Sequence, residues 1–256
     1  MKSVTTAEAP SISAVVITKN EASNIGDCIK TLEFCDEVVV VDDGSIDGTP
    51  DIARDLGAVV IKGGEWFGFG RQKQRALDAA RGKWIFSIDA DERVTNGLRT
   101  EILAAVKLDM DRAYSVRREN YFLGKRMRYG GWSNDHVTRL AKRERCFFSR
   151  EVVHEELLCE DAVEALQGGL LHFSYRCVDD VFEKHVRYAK LGAAKIRASN
   201  RSTAAPLLRA IWTFARHYFI QLGFLDGRRG CLAAVSKSCE TFWRFTLAKD
   251  WNDQCT

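Results

Sequence analysis

Val38-Val39-Val40-Val41-Asp42-Asp43-Gly44-Ser45-Ile46-Asp47-Gly48-Thr49-Pro50 reads as a strand, a loop and a helix start in immediate succession. The valines are apolar without alternation, as in a strand covered on both faces, and the strand is predicted over Glu37–Val41. Asp42–Gly48 is a loop, and Thr49 and Pro50 suit the N-cap and first position of a helix. Upstream, Ile12–Thr18 is a second apolar strand, and Ala22–Phe34 places Ile25, Cys28, Ile29 and Leu32 on one helical face. Downstream come a strand at Ala58–Lys62, a glycine-rich loop at Gly63–Gly70, a helix at Arg71–Ala80 and a strand at Trp84–Ile88. Strands alternating with helices predict an α/β fold whose central sheet is mostly parallel, with helices on both faces. Ligands of such sheets bind outside the carboxyl ends of the strands. Three polar clusters fall there: Thr18-Lys19-Asn20-Glu21, Asp42-Asp43-Gly44-Ser45 and Asp89-Ala90-Asp91-Glu92.

The middle of the chain, Tyr114–Phe173, has short strand-like runs and turns such as Gly130-Gly131, and predicts an α+β insertion. From Val178 the pattern is helical. Leu207, Leu208, Ile211, Trp212, Ala215, Tyr218, Phe219 and Leu222 form a broad apolar face interrupted by Arg209 and Arg216. That suits a core helix or one lying on a bilayer better than a membrane span. The expected organisation is a disordered stretch at 1–11, a main domain at 12–175 (with halves 12–95 and 112–175) and a helical extension at 176–256.

Net charge is only +3, but its distribution is uneven: Lys184–Arg229 carries ten Lys/Arg against the single acid Asp226. A clustered positive field attracts phosphates on lipid or substrate. No zinc finger or aromatic ribonucleoprotein motif accompanies it, so nucleic acid is not an expected partner. The eight cysteines form no C-x-x-C pair, and Met1–Ser13 has no apolar signal core; reduced thiols in a cytosol are expected.

Asp89 and Asp91 follow an apolar strand. Paired carboxylates on such a turn repel unless something positive lies between them, and a hard cation such as Mg²⁺ or Mn²⁺ takes oxygen ligands while leaving positions for a diphosphate. Asp42, at another strand end, is placed to accept from a base or ribose. Lys73, after the glycine-rich loop, is placed to meet a diphosphate near a helix N-terminus.

Val-Ile-Thr-Lys-Asn-Glu (16–21), Val-Val-Asp-Asp-Gly-Ser-x-Asp-Gly-Thr (40–49) and Ala-Arg-Gly-Lys-Trp-Ile-Phe-Ser-Ile-Asp-Ala-Asp-Glu (80–92) together resemble the family 2 glycosyltransferases. The resemblance implies a GT-A fold, an inverting mechanism and a divalent metal. Thr18, Asn20, Glu21, Asp42, Ser45, Lys73 and Asp89 are then the nucleotide-sugar residues, and Asp91 with Asp89 the metal ligands. His154 or His172 is a further candidate ligand. The base is Glu155, in the acidic position after the metal motif, with Asp135 as the alternative. Trp66–Lys73, Gly130-Gly131-Trp132, Val153-His154-Glu155 and Gly223-Phe224-Leu225-Asp226-Gly227 are similar to the bacterial lipopolysaccharide core β-glucosyltransferases. This branch implies UDP-glucose as donor, a lipid A-core acceptor and a cytoplasmic enzyme peripheral to the inner membrane. The alternatives are another nucleotide sugar transferred to a polyprenyl phosphate or capsule precursor, or a nucleotide-sugar-binding protein without turnover. The Gln-x-x-Arg-Trp motif of processive family members is missing, which implies one sugar per encounter.

Overall fold

The computed structural model describes residues 11–133, 135–149, 155–198 and 205–249. Apart from Ser11, the expected N-terminal stretch 1–11 lies outside them, as do the last seven residues, 250–256, of the predicted extension. The chain forms two compact units, Met1–Arg118 with Asp135–His172, and Glu119–Asn134 with Phe173–Thr256.

The first unit opens with β1 (Ile12–Thr18), α1 (Ala22–Lys30), β2 (Glu37–Asp42), α2 (Thr49–Asp55), β3 (Val59–Lys62), α3 (Phe69–Ala79) and β4 (Trp84–Ser87). β1 pairs in parallel with β2 and β4, and β2 with β3. Next come β5 (Glu92–Val94), α4 (Asn96–Leu108), β6 (Ala113–Phe122), β7 (Lys125–Arg126, in the second unit), β8 (His136–Lys142), β9 (Cys146–Phe148), β10 (Leu157–Cys159) and β11 (Val163–Tyr175). The sheet order is β3-β2-β1-β4-β8-β6-β11-β5. The predicted parallel pairing holds for β3, β2, β1 and β4. Beyond β4 the pairs β4–β8, β8–β6 and β11–β5 are antiparallel, and among the described residues no crossover helix joins β6 to β8. Among the described residues, the helical content of the predicted α+β insertion is one 3₁₀ turn, Arg143–Arg145.

The core follows from the two-residue period of β1. Ile12, Ala14 and Val16 pack with Ile25, Cys28 and Ile29 of α1, Ala53 of α2 and Leu98 and Ile102 of α4. Val15 packs on the opposite face with Val39, Val41, Ile85 and Ala76 and Leu77 of α3. A fully buried Phe86 or Ile85 contributes about 1.5–3 kcal/mol by leaving water.

Three helices have boundaries that differ from the sequence expectation, and α3 starts at Phe69, two residues before the predicted Arg71. α1 ends at Lys30, short of Phe34; Thr31 Oγ1 donates to the Cys28 carbonyl (2.8 Å), a local bond that competes with further helix. At α2 the N-cap is Gly48 (φ 84°), and Thr49 is already helical. Its hydroxyl instead donates to Asp47 Oδ1 (2.5 Å) and accepts from the Glu21 amide (2.8 Å), tying two loops together.

In the second unit α5 (Val178–Ala198), α6 (Pro206–Ala215), a π turn at Arg216–Ile220, a 3₁₀ turn at Gly223–Asp226 and α7 (Arg228–Leu247) follow one another. Buried Asp226 accepts from the amides of Arg128 and Tyr129 (3.0 and 2.9 Å). A Cβ on Gly230 would lie 1.9 Å from the Gly223 carbonyl, so this corner closes only around glycine. No helix among the described residues is long and apolar enough to cross a membrane.

Candidate active site

The parallel strands deliver two loops to one sheet edge. Thr18 and Asp42 are register partners at the ends of β1 and β2. Asp42 organises the loop after it. Oδ1 accepts from Thr18 Oγ1 (3.1 Å) and Ser45 Oγ (2.5 Å), and Oδ2 from the amides of Gly44 (3.1 Å) and Ser45 (2.9 Å). A carboxylate offers about four acceptor positions, so these bonds occupy Asp42 within the protein. Asn20, at φ 56°, donates its amide to Ser45 Oγ (2.8 Å), and its Oδ1 accepts from the Ile46 amide (2.9 Å). Glu21 Oε2 accepts from Asn24 Nδ2 (2.7 Å).

β4 leaves the other side of β1 and runs into Asp89-Ala90-Asp91-Glu92. The link between the two loops is α3: Gln72 Nε2 donates to Asp43 Oδ1 (3.0 Å), and the next residue, Lys73, places Nζ 2.7 Å from Asp89 Oδ1 and 2.8 Å from Glu155 Oε1. Asp42 and the acidic turn therefore share one edge of the first unit.

Around the turn the charges are knitted in pairs. Arg139 Nη2 lies 2.7 Å from Asp89 Oδ2 and 2.7 Å from Glu92 Oε1. Glu92 Oε2 accepts from the Asp89 amide (2.9 Å), and Arg118 grips Asp135 with two bonds of 2.9 Å. Burial alone would push the Asp89 carboxyl up; the Arg139 guanidinium and Lys73 ammonium outweigh it and hold Asp89 well below the usual carboxylate range. Burial would likewise lower Lys73, but Asp89 and Glu155 keep it above the ordinary lysine value.

Asp91 points to a different partner. Its Oδ1 lies 3.6 Å from His172 Nε2, both side chains nearly buried. Burial disfavours the imidazolium, but the Asp91 charge and hydrogen bond prevail and raise His172. A carboxylate beside an imidazole is a donor pair that suits a divalent ion. No group of three or more His, Cys, Asp or Glu able to hold a metal occurs among the described residues, so a cation here would draw further oxygens from a ligand. Asp89, the other predicted metal ligand, has both carboxylate oxygens engaged by Lys73 and Arg139. His154 lies outside the described residues.

The sequence reading brought Thr18, Asn20, Glu21, Asp42, Ser45, Lys73, Asp89, Asp91, Asp135, Glu155 and His172 forward, and the first unit contains all of them. Arg139, Arg118 and Gln72 were not expected there, and Glu92 was placed at the strand end without a role. Arg139 had a readable signal: a guanidinium between Val137 and Leu140 in a strand, where a buried position demands paired acids.

Comparison with known proteins gives the family of the chain. The sequence profile of Glycosyl transferase family 2 matches residues 13–156. The lipopolysaccharide core biosynthesis glycosyltransferase LpsC of Rhizobium meliloti is 33% identical, over 92% of this chain and 93% of that protein. An uncharacterised glycosyltransferase of Rickettsia prowazekii is 27% identical over 93% and 87%. Among solved structures, S. aureus TarS 1–349 in complex with UDP-GlcNAc matches with a TM-score of 0.47 and 14% identity, covering 91% of this chain and 81% of that one. The profile match over more than half of the chain and the near-full-length identity to LpsC place this GT-A-like α/β protein in glycosyltransferase family 2.

Proposed function

We propose that this glycosyltransferase is an inverting, non-processive, divalent-cation-dependent enzyme that moves one glucose from UDP-glucose to an inner-core heptose of lipopolysaccharide, working at the inner face of the inner membrane. The observation that carries the reading is the α3 bridge, in which Gln72 and Lys73 reach Asp43 and Asp89 and so set the nucleotide loop beside the acidic turn. The lipopolysaccharide acceptor is supported by the identity to LpsC and by the motifs shared with the core β-glucosyltransferases.

Thr18, Asn20, Glu21 and Ser45 line the nucleotide site, and Asp42 fixes their loop. Asp91 and His172 would hold the cation. A bound divalent ion supplies neutralisation of the charge that develops on the departing diphosphate. Lys73 offers its ammonium to the same phosphates. It is already buried and charged, and a diphosphate oxygen can take the place of one of its two carboxylate partners.

The base takes the proton of the acceptor hydroxyl. Glu155 suits this better than Asp135. Glu155 meets Lys73 through Oε1, whereas both Asp135 oxygens are taken up by Arg118 in a bidentate pair. The test is nucleotide release and product formation with a panel of nucleotide sugars on truncated lipopolysaccharides, with and without chelator. UDP-glucose is expected to give transfer that chelation removes and Mg²⁺ or Mn²⁺ restores. Transfer from another donor alone, or transfer indifferent to chelator, overturns the donor or the metal assignment respectively.

A further inference from the structure

In the second unit α6 and the turns after it carry their large apolar side chains outward. Leu208 is 67% exposed, Trp212 60% and Phe219 58%, and Leu207, Ile211 and Ile220 are similar. Isolated exposed leucines are ordinary, but a contiguous set of this size marks an interaction surface. At 100° per residue Leu207, Ile211, Leu208 and Trp212 span an arc of about 140° on α6, with buried Ala210 on the far side. Arg209 and Arg216 fall next to the Trp212 edge of that arc, and both are exposed. Arg228 and Arg229, also exposed, follow the turns that present Leu222, Phe224 and Leu225. From Ala205 to Leu225 there is no Asp or Glu, and the first acid after them, Asp226, is buried on backbone amides.

We infer that α6 and the following turns form a docking surface for a bilayer bearing anionic lipid headgroups. The apolar arc enters the headgroup–acyl boundary and the bordering arginines meet lipid phosphates. This specifies the membrane partner of the proposed function and rests on that reading only for which membrane is met. The physical match is that of an interfacial helix, with a wide apolar face, a cationic border and no span-length apolar run. A second copy of the chain fits less well. A two-fold contact sets like surfaces against each other and brings the arginine borders together with no acid to receive them. An anionic bilayer neutralises them instead.

The test is co-sedimentation of the full chain with vesicles of phosphatidylethanolamine and phosphatidylglycerol, against vesicles of phosphatidylcholine alone. Binding is expected to require phosphatidylglycerol and to weaken with salt. Arg216→Gln and Arg228→Gln should each lower the partition coefficient about fivefold. The exposed pair Leu208→Glu/Trp212→Glu should lower it at least about tenfold without altering the circular dichroism melt. Absence of binding to phosphatidylglycerol vesicles at low salt overturns the proposal, as does binding that the double variant leaves unchanged. A concentration-dependent dimer in light scattering that the double variant abolishes overturns it in favour of a second copy. Vesicle partition is read without donor or acceptor, so its failure leaves the transferase reading standing, and loss of transfer leaves the docking result standing.

Discussion

Glu37 begins β2 and Asp42 ends it, and the two ends of the parallel strands treat buried acids differently. At the amino end Glu37 meets a closed set of partners. Ser13 Oγ donates to Oε2 (2.6 Å), the Arg81 amide to the same oxygen (2.9 Å) and Arg81 Nε to Oε1 (2.8 Å). Ser13 Oγ then accepts from the Gly82 amide (2.8 Å), and a Cβ at Gly82 would come within 2.6 Å of the Ser13 backbone. One acid, one arginine and one hydroxyl satisfy each other around a tight backbone contact. Among the described residues, Asp89, Asp91, Glu92, Asp135 and Glu155 gather at the carboxyl end around Lys73, Arg118, Arg139 and His172. The first arrangement uses its charge up within the fold. The second leaves more carboxylates than permanent cations among its contacts, which suits an edge that receives a cation and a diphosphate.

That contrast is sharpest in variants that separate activity from stability. Asp91→Asn should lower transfer about a thousandfold, the several kcal/mol of charge stabilisation that the proposed cation would supply, while the melting temperature stays close to that of the parent. UDP release kinetics beside a thermal melt read both. A variant that keeps its turnover would separate Asp91 from the chemistry. Glu155→Gln should lower kcat by about 10²–10⁴ with donor affinity retained, the range for loss of a general base. If Asp135→Asn has that effect and Glu155→Gln does not, the roles are exchanged.

Arg139→Met should be the costliest for stability, by about 3–5 kcal/mol, since it leaves the fully buried Glu92, and the half-buried Asp89 beside it, without their shared guanidinium. Urea denaturation checks it, and recovery of most of that loss in Arg139→Met/Glu92→Gln would identify the stranded carboxylate as its source. The smallest effect belongs to the amino end. Glu37→Gln should cost about 1–3 kcal/mol and leave transfer unchanged. Burial alone would raise Glu37, but its bonds to Ser13 and Arg81 hold it below the ordinary carboxylate value. A depressed folded value means the stabilisation is complete above the unfolded carboxylate range and is lost as pH falls through the lower folded value. The parent's melting temperature should thus fall more steeply in acid than that of Glu37→Gln; parallel acid profiles would deny Glu37 this role.

Much of this was readable in the chain. The strand at Ile12–Thr18 has the predicted limits, and the strands at 37–42, 59–62 and 84–87 fall within a residue of theirs, because continuous apolar runs between polar turns leave little choice of register. Thr49 was misread as a cap because Gly48 supplies the left-handed turn and releases the hydroxyl to bridge two loops. Asp42 is expected to accept from a base or ribose; that its oxygens also accept from Thr18, Gly44 and Ser45 is visible only in the packing.

By itself the sequence determined the α/β alternation, the family and the three polar clusters, since hydrophobic period and short-range turn chemistry are local properties. Only the tertiary structure decided that Lys73 joins Asp89 to Glu155, that Arg139 neutralises two acids at once, and that Asp91 turns to His172. Those partners lie tens of residues apart. A buried ion pair is chosen by which strands and helices meet at an edge, where the cost of desolvating each charge leaves it no stable alternative to the nearest opposite one.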